Sequence, residues 1–161
     1  MFEHEIAVNG QLLIYFSKVA KEIPEDSFFH PSVGHGHPPV WILGHLAIIA
    51  EMGQMKLGGS IAHPEWVPMF GPGSSDIIHQ NDELNKQSMI NVVKENYRQL
   101  RDLAAKADLP TISQPHNVAL FEGTPIANVG HVITVILTSH FGFHLAQLSS
   151  CRRAAGFGPL F

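Results

Sequence analysis

The sequence predicts an all-α protein, a four-helix bundle with long connections after the second and third helices. Four segments repeat their apolar residues every three or four positions, the spacing that lines one face of a helix. No convincing period-two alternation competes with them; His131 to Leu137 is rich in β-branched residues but sits inside a longer helical period. At 161 residues the chain suits a single domain spanning 1–161, built around one shared core.

The first helix runs from Glu3 to Ile23, with Leu12, Phe16, Val19 and Ile23 on one face, and Pro24 ends it. The second covers Pro38 to Leu57, since prolines are tolerated in a first turn whose amides have no helical partner. Its seam is Trp41, His45, Ile48, Met52 and Met55. The third starts near Asp82 and carries Ile90, Val93, Tyr97, Leu100, Ala104 and Ala107, with Lys94, Glu95, Arg98 and Arg101 between them. The fourth begins after Thr124, as N-cap, with Pro125 at the first helical position, and runs to about Ala155 before Gly156 stops it. Its inward stripe reads Val129, Ile133, Leu137, His140, His144 and Cys151.

The connections Gly58 to His79 and Asp108 to Gly123 exceed the two to eight residues usual between bundle helices. The first holds Pro64, Trp66, Pro68, Phe70 and Gly71-Pro72-Gly73, stiff turns mixed with large aromatic rings. Two readings stand: a lid over a pocket, or a plug closing the end of the bundle.

Composition removes several function classes. Hydrophobic residues make up 45% and charged residues 15%, which argues against global disorder. Ten basic against 14 acidic residues give a charge of −4, which provides no field for nucleic acid phosphates. The apolar run Val40 to Ala50 is broken by Gly44 and His45, short of a membrane span, so no membrane is expected. The opening residues lack the positive charge of a signal peptide, and the single Cys151 cannot close an intramolecular disulfide. A reducing, cytoplasmic setting follows as the expectation.

Eleven histidines are the chemical clue. His140 and His144, four apart on a helix, project from one face and can share a metal ion at about 2.0–2.1 Å from each nitrogen. His45 lies in the apolar seam of another helix, so all three point into the bundle. Each unpartnered imidazole there would cost on the order of 1 to 3 kcal/mol, and one shared ion satisfies them together. Three ligands leave an open position for water or substrate, which suggests catalysis by a first-row divalent metal, zinc or nickel. Phe141 follows the first histidine where the H-E-x-x-H zinc proteases place their general base, so peptide hydrolysis of that type is not expected. Gly142, between the two ligands, makes room for a neighbouring helix or for substrate.

Other residues weigh less. His35 and His37 sit in a glycine-rich loop, and His4, His30, His63, His79, His116 and His131 default to the surface. Glu51 falls on a different side from His45. Cys151 reads as core, and Arg152 and Arg153 complement the dipole of the last helical turn. The apolar end Pro159-Leu160-Phe161 either caps the bundle or meets a second subunit.

The segment Pro39-Val40-Trp41-Ile42-Leu43-Gly44-His45-Leu46-Ala47, with His140-x-x-x-His144-x-x-Gln147-Leu148 and Arg152-Arg153-x-x-Gly156, resembles the DinB/YfiT-like superfamily of metalloenzymes. The resemblance implies up-down-down-up topology, frequent dimerisation and a divalent metal on His45, His140 and His144. It also implies thiol S-transferase-like chemistry with a low-molecular-weight thiol such as bacillithiol or mycothiol as co-substrate, or a mycothiol-dependent isomerisation. Ligand binding without turnover is the alternative. Trp41, Trp66, Phe70 and Gln147 are the expected lining of a small-molecule substrate pocket. Many members carry glutamate where this chain has Phe141, so a role for that glutamate does not transfer.

Overall fold

Four long helices dominate the chain, and no strand occurs among the described residues. The structure is a computed structural model that describes residues 1–30, 37–81 and 84–160. Helix α1 (Glu3–Glu22) opens with Glu3 and Glu5, acidic charges that suit its N-terminal dipole, and buries Asn9, Leu13, Phe16, Val19 and Ala20. Its inward face is turned slightly from the expected one, with Leu13 inside and Leu12 half-buried.

Helix α2 (Pro39–Lys56) departs further from expectation. Rather than one seam, every residue from Val40 to Ala50 is buried, because α2 is packed by both other long helices it touches and by the turns of the following connection. A helix enclosed this way has no polar face to show, and only near its end does Met55 reach solvent.

Helix α3 (Lys86–Lys106) is amphipathic as predicted, with Ile90, Val93, Tyr97, Leu100 and Ala104 inside. The Asn85 side chain caps it by accepting from the Ser88 N–H at 3.1 Å. The helix thus begins later than the expected start near Asp82, which itself lies outside the described residues.

Helix α4 (Val129–Ala154) begins later than expected. Asn128, not Thr124, is the N-cap, accepting from the His131 N–H at 2.9 Å. Thr124 instead closes a turn, donating to the Phe121 carbonyl at 2.8 Å and accepting from the Ile126 N–H at 3.2 Å, which leaves Pro125 in the connection. Gly156, at φ +93°, ends the helix in the left-handed conformation that glycine adopts freely.

Within α4, residues Ile136–His140 form a π-helical turn. The wide turn matches an inward pattern of successive four-residue steps, Val129, Ile133, Leu137, Phe141 and Leu145, which would drift off the face of a regular 3.6-residue helix. Asn9 reaches in from α1 to donate to the Leu137 carbonyl at 2.8 Å, and Thr138 Oγ1 donates to the Thr134 carbonyl at 2.6 Å. Phe141 follows directly, fully buried and edge-on to Phe16 and Tyr97, so position 141 faces the core.

Contacts along α1 and α4 advance together, from Glu5 with Thr134 through Asn9 with Leu137 to Glu22 with Arg152. Those of α2 and α3 do likewise, from Glu51 with Asn96 to Gly53 with Leu100. The Arg152 guanidinium is buried in this arrangement, pairing with Glu22 and donating to the Gly158 carbonyl at 2.5 Å, while Arg153 is exposed. Leu160 packs against the core, and Phe161 lies outside the described residues.

The connection after α2 folds into the turns Pro64–Trp66 and Val67–Phe70. Glu51 anchors it: fully buried, its carboxylate accepts from the Ala62 and His63 N–H groups at 2.9 Å, His63 Nδ1 at 2.5 Å and Asn96 Nδ2 at 2.7 Å. His63 is therefore half-buried and paired, not a free surface residue. His116 is likewise half-buried, bonded to the Ile126 carbonyl and the Val118 N–H. His4, His30, His79 and His131 are exposed as expected, and His35 lies outside the described residues.

Helix α4 is long and apolar enough by composition to cross a bilayer, a stretch longer than the Val40 to Ala50 run the sequence singled out. Half of its most apolar window is buried within the bundle.

Candidate metal centre

His45 from the middle of α2 and His140 and His144 from α4 converge, with one nitrogen of each lying within 4.8 Å of the others. No other such cluster of histidine, cysteine and carboxylate groups occurs among the described residues. His45 and His144 are buried and His140 is half-buried. His45 Nδ1 lies 2.7 Å from the Phe70 carbonyl, which only accepts, so that nitrogen carries the proton and Nε2 presents its lone pair. His144 Nδ1 donates in the same way to Gln147 Oε1 at 2.7 Å. Partners of this kind fix tautomer and ring orientation in metal-binding histidines.

His45 Nε2 and His140 Nε2 stand 3.2 Å apart. Two nitrogens bound tetrahedrally at about 2.0–2.1 Å from one ion are separated by roughly 3.3 Å, so this pair already has the required spacing. His140 Nδ1 is buried without a partner, which makes His140 the one ring of the three whose tautomer the protein does not fix. The donor set therefore fits an imidazole-binding divalent ion.

Electrostatics favour the same state. Burial, followed by the charges of His144 and His45, pushes His140 down to about 3. Burial and then His45 push His144 down to about 4, against the opposing Gln147 hydrogen bond. Burial also lowers His45, opposed by the Phe70 carbonyl. Desolvation disfavours the imidazolium, so at neutral pH the rings are uncharged, the form that ligates metal.

The Phe70 contact depends on Gly44. A Cβ there would fall 2.4–2.5 Å from the Phe70 ring, so only glycine lets the ring seat against α2 and place its carbonyl beneath His45. Gly142 has no such role: a Cβ at that position would meet nothing within 4 Å, so room for a neighbouring helix is not its reason.

Trp41 stacks on His45 with centroids 4.5 Å apart and planes 12° apart, and donates through Nε1 to Ser74 Oγ at 2.9 Å. His37, expected in a loose loop, stacks on Trp41 at 3.9 Å and pairs through Nδ1 with Asp76. Trp66 packs edge-on to Phe70 at 5.5 Å, one layer back from the histidines. Cys151 is buried and free, and Glu51 is committed to its connection.

A cavity of about 170 Å³ opens beside the cluster, with His45 and His140 among its lining residues. Ile49 and Met52 of α2, Val132, Val135 and Ile136 of α4, and Val118, Leu120 and Phe121 of the last connection form its walls. Trp41, Trp66, Phe70 and Gln147 are not among the lining residues; Trp41, Phe70 and Gln147 contact the imidazoles instead, and Trp66 packs on Phe70. The α2 wall was open to inference, since His45, Ile49, Met52 and Lys56 recur at helical spacing, but the wall from the last connection leaves no periodic trace.

Fold and site together define an all-helical bundle with a three-histidine cluster suited to a metal ion. Comparison with protein-family models, curated proteins and solved structures found no match to this chain.

Proposed function

We propose that this protein is a divalent-metal-dependent enzyme of the DinB/YfiT-like kind, in which His45, His140 and His144 hold zinc or nickel and a low-molecular-weight thiol is the co-substrate. The observation that carries the reading is the convergence of three neutral imidazoles, two with tautomers fixed by Phe70 and Gln147. An ion held there lowers the pKa of a coordinated thiol, making its sulfur a nucleophile at neutral pH. Trp41 walls one flank of His45, and the adjacent apolar cavity receives the electrophile. The net reaction forms a sulfur–carbon bond as the leaving group departs with its electron pair and the thiol proton passes to solvent. An up-down-down-up arrangement belongs to the same proposal, supported by contacts that advance together along α1 with α4 and along α2 with α3. So do a homodimeric state and a cytoplasmic setting, on the strength of the sequence resemblance and the residue usage.

Elemental analysis of untagged protein tests the site. About one equivalent of zinc or nickel is expected in the parent, lost in both His45→Ala and His144→Ala. Metal-loaded protein that turns over no electrophile with any common low-molecular-weight thiol would overturn the enzymatic reading. Binding without turnover is then the second reading, favoured by a cavity lining that contains no carboxylate.

A further inference from the structure

We propose that the cavity beside the histidine cluster takes uncharged, compact apolar molecules of about six carbons, so that the electrophile received there is a neutral one. The role as electrophile rests on the enzymatic reading above; the binding preference itself needs no metal.

The lining excludes charge. Its surface is almost wholly apolar, with Ile49 and Met52 of α2 facing Val132 and Ile136 of α4 and Phe121 of the last connection. No carboxylate, hydroxyl or amide side chain is among the lining residues, and Lys56 is the one lysine or arginine. Its Nζ is already engaged, donating to the His116 carbonyl at 2.7 Å. The His116 ring in turn accepts from the Val118 N–H at 2.9 Å and donates to the Ile126 carbonyl at 2.9 Å. Lys56 thus ties the last connection to α2 and holds in place the wall that Val118 and Phe121 form. A carboxylate entering such a space would shed its hydration against aliphatic carbon without a partner, one of the costliest burials available to an ion. An uncharged hydrocarbon body meets no such penalty and gains from every apolar contact.

The volume sets the size. An apolar cavity of about 150 Å³ stays dry and binds benzene, so about 170 Å³ suits one six-membered ring or a chain of similar bulk. Pro72 of the first long connection and Leu120 of the last both line the cavity and are exposed, Leu120 to 76%, which places the mouth at those two connections. Val132 and Ile136 are buried, and His45 and His140 belong to the lining as well as to the cluster. A ligand seated in the cavity therefore lies beside two of the rings that would hold the ion.

Isothermal titration of zinc-loaded and metal-stripped protein with benzene and with benzoate tests the proposal, with metal content measured on the same samples. Benzene is expected to bind with a stoichiometry near one in both forms, at affinities within threefold of each other. Benzoate should bind at least tenfold more weakly than benzene in the metal-stripped form, where no ion attracts its carboxylate. Val135→Phe and Met52→Trp each enlarge a half-buried wall residue and should weaken benzene binding at least tenfold, read on protein whose helical circular dichroism matches the parent. Absence of benzene binding, benzoate binding as tightly as benzene without metal, or benzene affinity unchanged in both variants would overturn the proposal. Benzene binding by a protein that takes up no zinc would uphold it and overturn the metal reading alone; zinc uptake without benzene binding would do the reverse.

Discussion

Gly44→Ala tests the seat of the histidine cluster. The new Cβ would lie 2.4–2.5 Å from three atoms of the Phe70 ring, where carbon atoms prefer about 3.5–4.0 Å, so the ring must retreat by roughly 1 Å. Phe70 is 0% exposed and has no free side to move toward. Overpacking of this kind costs about 1–3 kcal/mol, and full expulsion of the ring approaches the 3–5 kcal/mol of a phenylalanine truncation. Replacing a mid-helix glycine by alanine offsets up to about 1 kcal/mol of this. Gly142→Ala provides the control, since its Cβ meets nothing and only the helical gain of up to about 1 kcal/mol remains. The helical gain is common to both and cancels, so the two variants should differ by about 1–3 kcal/mol, rising toward about 5 kcal/mol if the ring is expelled, in urea unfolding at unchanged m-value. Metal affinity should fall in Gly44→Ala alone, because the Phe70 carbonyl that orients His45 moves with its ring. A Gly44→Ala protein as stable as Gly142→Ala, with metal affinity intact, would refute the seating of Phe70 and the orientation of His45 derived from it.

Acid should destabilise the metal-free protein. His140 and His144 have folded-state pKa values of about 3 and 4, below the unfolded value of about 6.5, so the unfolded chain binds more protons as pH falls. Between pH 7 and pH 5 this removes about 3–4 kcal/mol for the two together, and denaturant midpoints flat across that window would contradict it. Gln147→Leu removes the acceptor for His144 Nδ1 and should weaken zinc binding about 10–100-fold in competition with a chromogenic chelator, with little change in the metal-free fold. Glu51→Leu leaves the Ala62 and His63 amides without their acceptor and Asn96 Nδ2 with the Ala47 carbonyl alone, and should cost about 3 kcal/mol or more in urea unfolding. Its metal stoichiometry should hold, since Glu51 does not reach the cluster.

The helical character of all four segments was legible because their periodicity is strong, and His45, His140 and His144 stood out as polar residues at core phases. What escaped the sequence has physical causes. Periodicity along one helix cannot say how many neighbours enclose it, so the burial of α2 on all sides went unseen. Thr124-Pro125 and Asn128 both offer N-terminal signals, and local chemistry alone did not rank the turn against the cap. His63 and His116 took partners from segments far along the chain or from local turns that carry no pattern. The acceptors for His45 and Lys56 are backbone carbonyls, which every residue has and no sequence marks.

The π-helical turn divides the last helix into two independently aimed halves. Residues before it form a wall of the cavity, while His144 and the residues beyond it hold the far side of the cluster. Removing one residue from that turn would restore a regular helix and swing one half against the other by about 100°, the rotation of a single helical residue. The spacing between His140 and His144 would survive such a deletion if it fell before His140, but the pair would no longer face the same space as Val132 and Val135. A one-residue change in chain length at this point is thus a switch of aim: it redirects the two α4 histidines relative to the cavity wall without changing the identity of either.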